Sequence, residues 1–187
     1  MELRGLLSKK PVRFLTLLLT AMLIASASAA VYYSLSMEST ITVGTTWVKF
    51  VSAGDTPALA TVDDAYCSLP LTTYPNATVT YEHAIGVNNT DPGFAHSVRL
   101  RHVSVAPDSD PDVGNFTSIT FSLLDASNVT QTTFAYTTTG NSWNTPSTTG
   151  WYAIPLATEW FIKVETVSPA GASSGVSCTI AIAIDVQ

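Results

Sequence analysis

The chain has 187 residues, of which 46% are hydrophobic and only 12% charged, a balance that excludes a disordered chain and calls for a real core. The formal net charge of −6 is uneven: Arg4, Lys9, Lys10 and Arg13 all lie in the first 13 positions, and only Lys49, Arg99, Arg101 and Lys163 follow. Beyond residue 30 there are four basic and 13 acidic residues, a net charge of −9 with no basic stripe, which argues against nucleic acid or anionic lipid as a partner.

In chain order, the basic stretch leads into an apolar run, FLTLLLTAMLI at residues 14–24, and then into the small residues ASASAA at 25–30. This is the order of a cleavable secretory signal peptide, and 11 apolar residues fall short of the roughly 20 that span a bilayer. The expected division is a signal peptide at 1–30, an N-terminal strand at 31–44 and a β-sandwich domain at 45–187. No stable membrane anchor is expected after cleavage.

The first segment after the predicted cut, VYYSLSMESTITV at 31–43, alternates with period two. Val31, Tyr33, Leu35, Met37, Ile41 and Val43 share one face with Ser39, and the other face is polar except for Tyr32. Such a ribbon is a half-buried strand. Burying each of its large apolar side chains is worth about 1.5–3 kcal/mol before entropy is subtracted. It folds back into its own domain or enters a groove of a neighbouring copy, and the pattern alone favours neither.

Further alternating segments follow near 46–52, 77–87, 97–105, 116–124, 129–137, 150–156, 159–167 and 178–186. Turn-forming residues separate them: Gly54-Asp55, Pro75-Asn76, Asp91-Pro92-Gly93, Pro107 to Gly114, Thr139-Gly140-Asn141 and Pro169 to Gly175. Eight or nine short strands without a helical stripe predict an all-β protein, a jelly-roll-like β-sandwich.

Cys67 and Cys178 are the only cysteines. In an exported chain they predict one disulfide, which would constrain the unfolded chain by about 4–5 kcal/mol. Four Asn-x-Thr acceptors, Asn76, Asn88, Asn115 and Asn128, agree with export and N-glycosylation.

Catalytic patterns are not found. His83, His96 and His102 form no zinc-ligand spacing, there is no GxSxG elbow, and no phosphate-binding glycine pattern occurs. No cofactor is expected. The weak exception is calcium at Asp108, Asp110 and Asp112, since carboxylates at alternate positions can converge on a hard cation; an acidic turn is the plainer reading, since Ile119 stands where the twelfth ligand of a calcium loop would be. Trp143, Trp151, Tyr152 and Trp160 fit either a core or a carbohydrate-binding face.

The segments AVYYSLSMESTITVG at 30–44 and LTTYPNATVTYEHAIGVNNTDPGFAHSVRL at 71–100 resemble the TasA/camelysin family of biofilm-matrix fibre proteins and the related archaeal bundling pilins. Tyr74-Pro75-Asn76 stands at the first characteristic turn and Asn88-Asn89 at the second. The resemblance implies jelly-roll subunits that polymerise by N-terminal strand donation, with Val31, Tyr33, Leu35, Met37, Ile41 and Val43 as the donor face. The two cysteines lie outside the family pattern, and nothing in these residues supports the peptidase activity associated with camelysin.

The expected function is therefore a non-enzymatic subunit of a pilus or biofilm-matrix fibre at the cell surface, mediating adhesion or cell bundling. Its partners would be identical subunits, neighbouring filaments and cells. The alternatives are a secreted monomeric binding module for surface glycans, using Trp143, Trp151 and Trp160, and a metallo-hydrolase using the histidines.

Overall fold

A computed structural model describes residues 46–108 and 111–187, all within the unit Gly44–Gln187. The signal peptide and the donor strand of 31–44 lie outside the described residues. Eleven strands are described: β1 (Val48–Val51), β2 (Thr61–Asp63), β3 (Tyr66–Ser68), β4 (Thr78–Asn89), β5 (His96–Ala106), β6 (Ser118–Leu124), β7 (Thr130–Thr139), β8 (Ser142–Asn144), β9 (Tyr152–Ile154), β10 (Thr158–Val167) and β11 (Thr179–Val186). A short 3-10 turn, Pro111–Asn115, is the one helical element among them.

The strands form an all-β sandwich. The larger sheet has the order β1-β4-β10-β6-β7-β8, the smaller has β11-β5-β9, and β2-β3 is a separate hairpin. All pairings are antiparallel, so alternate residues of each strand face the core. On β10, Trp160, Ile162, Val164 and Thr166 point inward and are buried, while Phe161, Lys163, Glu165 and Val167 alternate with them. Ile85 and Val87 of β4, Ile119 and Leu123 of β6 and Phe134 and Tyr136 of β7 complete that layer. Val98 and Leu100 of β5 and Ile154 of β9 meet it from the smaller sheet, each fully buried.

β4 carries the main irregularity. Ile162 pairs with Ile85, but Val164 pairs with Tyr81, so β4 bulges between them. Just beyond the bulge, Gly86 is crossed by neighbouring side chains. A Cβ there would collide with the Glu159 carboxylate and would lie 2.6 Å from the Val51 methyl. Among the described residues, no helix is long and apolar enough to cross a membrane.

Candidate functional site

Ile180, Ile182 and Ile184 alternate along β11 and face the core. Their cross-strand partners on β5 are Val105, His102 and Leu100. Leu100 is fully buried, yet all three isoleucines stay only half-buried. The cause is the position of β11. It is the edge of the smaller sheet, and among the described residues nothing pairs with its other side.

Beneath this row lies an open cavity of about 810 Å³. Phe50, Ile85, Ile119, Phe121 and Ile162 of the larger sheet form its floor, and Leu69 and Leu71 stand at its rim. The cavity is therefore a slot bordered by β11, by the larger sheet and by the stretch 65–73, with apolar side chains making up more of its lining than polar ones.

The edge itself is unusual chemically. Long edge strands are normally blunted by Lys, Pro or a bulge, because their free N–H and C=O groups template further pairing. β11 runs for eight residues as TIAIAIDV, with neither Lys nor Pro, and its pairing with β5 shifts register once, between Ala181 and Ile182. Its one charge, Asp185, is neutralised within the smaller sheet by Arg99 at 2.9 Å and Arg101 at 3.0 Å. Those guanidiniums, Arg101 foremost, hold the Asp185 carboxyl below the usual carboxylate range. Among the described residues the slot thus brings an unpaired strand edge and half-buried apolar side chains together, which are the two things an added strand recognises.

Cys67 of β3 and Cys178, just before β11, both border the slot. The sequence predicts a bond between them; in the structure they are free thiols. Burial pushes each up to about 11, which keeps the thiolate needed for disulfide exchange scarce at neutral pH.

The other sequence-derived residues do not converge on one place. His83 stacks on Phe161 with ring centroids 4.2 Å apart and pairs through Nε2 with Asn128 Oδ1 at 2.7 Å. His96 pairs with Asp91 at 2.9 Å. His102 Nδ1 lies 2.9 Å from the Tyr136 hydroxyl, whose burial pushes it up to about 12. Each histidine has its own local partner, and no group of three metal-ligating side chains converges among the described residues. Asp110 of the calcium triplet lies outside the described residues. The Asp108 carbonyl accepts a hydrogen bond from Trp143 N at 3.2 Å, and Asp112 sits exposed in the 3-10 turn.

The three tryptophans do not form one exposed face. Trp143 and Trp160 are buried in the core, because they occupy inward positions of β8 and β10. Trp151 is exposed, but Arg99 stacks over its ring at 4.5 Å.

The four acceptor asparagines differ in setting. Asn76 and Asn128 occupy exposed turns with positive φ. Asn115 is engaged at both ends of its amide, donating to the Asp112 carbonyl and accepting from Ser173 N. Asn88 lies inside β4, between Lys49 and Glu159 of the flanking strands. Compared with protein-family models and with curated proteins, the chain matches none.

Proposed function

We propose that this chain is a structural subunit of an extracellular filament, in which residues 31–43 of one copy enter the slot beside β11 of the next. The observation that carries this reading is the half-buried isoleucine row on an unprotected edge strand, above an apolar cavity of about 810 Å³. The chain has a matching part to fill it: a 13-residue ribbon with Val31, Tyr33, Leu35, Met37, Ile41 and Val43 on one face. An eight-residue strand is about 27 Å long, so the ribbon is long enough to run the whole length of β11. Main-chain hydrogen bonds to the free edge would supply affinity, and the odd side chains would pack against Ile180, Ile182 and Ile184.

The contact is head-to-tail and joins two different surfaces, so it extends into a fibre instead of closing into a dimer. The role is mechanical, in adhesion or cell bundling. The acidic, Thr-rich outer surface and the acceptor sites at Asn76 and Asn128 would face other filaments and cells.

Leu35→Asp places a charge at the centre of the ribbon's apolar face. Electron microscopy of cells producing that variant is expected to find secreted protein but no fibres. Normal fibres would remove the proposal. A soluble variant with its own ribbon seated in its own slot would make the protein a self-completed monomer.

A further inference from the structure

The end of the sandwich from which the N-terminal segment departs is held together by two adjacent residues, Asn89 and Thr90. Asn89, fully buried at the end of β4, shares its two Nδ2 hydrogens among the carbonyls of Phe94 at 3.0 Å, Pro155 at 3.1 Å and Ile154 at 3.2 Å. Its Oδ1 accepts from Asp91 N at 3.0 Å. Next to it, Thr90 donates from both N and Oγ1 to the Trp47 carbonyl, each at 2.8 Å. Two adjacent residues therefore tie down three separate stretches: the approach to β1, the β4–β5 turn and the β9–β10 turn.

Each stretch presents a large apolar side chain to solvent. Trp47 is 42% exposed, Phe94 73% and Leu156 50%. Single exposed hydrophobics are ordinary, but three on one braced tip mark an interaction surface. The buried network fixes the backbone beneath them, so little ordering entropy remains to be lost on contact.

We infer that this tip is a second contact between successive subunits, seated against the rim of the slot that has taken the donor strand. The inference rests on the strand-donation reading and adds a surface to it. Only Gly44, Thr45 and Thr46 separate Val43, the last residue of the ribbon, from Trp47. Four residue steps span at most about 14 Å. A copy whose slot is filled as far as Val43 is thus tethered within that distance of the tip. The occupant is a second copy of this chain, because the tether leaves no other molecule as close.

The test uses the full chain expressed with its leader. A fluorescent peptide of residues 31–43 is titrated onto Leu35→Asp protein, with and without Phe94→Asp and Leu156→Asp. The same tip substitutions are made in the parent, and pelletable fibre is measured. Peptide binding is expected to stay within about two-fold, while fibre falls by about ten-fold or more. Fibre yield equal to the parent's, with peptide binding intact, overturns the tip contact; it would do so even if attachment to other surfaces were lost. Failure of the peptide to bind either protein overturns strand donation, and the tip contact with it. Thermal unfolding checks that the variants fold. If the aspartates lower the midpoint, Phe94→Ser with Leu156→Ser is used, with the same outcomes.

Discussion

Asp91 organises the β4–β5 turn as an acceptor. Its carboxylate takes hydrogen bonds from Gly93 N at 2.8 Å and Phe94 N at 3.2 Å, and pairs with His96. The Gly93 amide, then His96, hold it below the ordinary carboxylate range. A carboxyl whose folded pKa is depressed stabilises the fold above its unfolded value near 3.9, and that contribution is lost as pH falls through the folded value. Asp91→Asn is therefore expected to lower the melting temperature at pH 7, with the difference from the parent shrinking below about pH 4. Melting curves across pH 2–8 check this; a difference independent of pH would assign the turn's stability to packing alone. Asn89 shows why the sequence hides such a residue. It is the second Asn of an Asn-Asn-Thr triplet, and the acceptor pattern draws the eye to Asn88, while the buried side chain that joins two loops is its neighbour.

Strands were legible where burial is one-sided and the run is long. β4, β5, β6, β7, β10 and β11 all lie within about two residues of their predicted bounds, because the period-two pattern reports a half-buried ribbon directly. The hairpin β2–β3 and the strand β8 were not predicted. At three residues each, they are too short to show a period, and they exist through the turns that join them to their partners. The isoleucine row of β11 was legible as an inward face, but its incomplete cover was not, since alternation reads the same on a central strand and on an open edge. For the same reason the tryptophans could be read as surface, although a core is the commoner place for them.

The slot has its own reporters at this scale. Cys67 lies on β3 and Cys178 just before β11, and both border the slot. With both thiols pushed by burial from 9.0 up to about 11, alkylation at pH 7 is expected to be about a hundred-fold slower than for an unburied cysteine. If the ribbon fills the slot, assembly slows it further. Mass spectrometry of iodoacetamide-treated monomer and fibre checks both. Equal rates in the two would place the ribbon elsewhere, and no labelling even after denaturation would establish the bonded pair.

At the scale of the whole molecule, charge and assembly oppose each other. Beyond residue 30 the chain carries a net charge of −9, so parallel filaments of it would repel. Under strand donation the contact between subunits would be apolar and little changed by screening, whereas side-by-side association would respond to it. Raising ionic strength from 0.01 to 0.15 M shortens the screening length from about 30 Å to about 8 Å. Bundling is expected to increase over that range while the length of single filaments stays constant, as turbidity and electron microscopy would record. Bundles that dissolve with added salt would instead point to lateral ion pairs.

An eight-residue border that nothing among the described residues covers would also set the direction of growth if a neighbour's strand completes it. Under strand donation, each newcomer heals the wound of the copy before it and brings a fresh one of its own. No nucleotide or pump outside the cell is then required. The driving force travels folded into every subunit, and once spent it holds the fibre shut against loss from its middle.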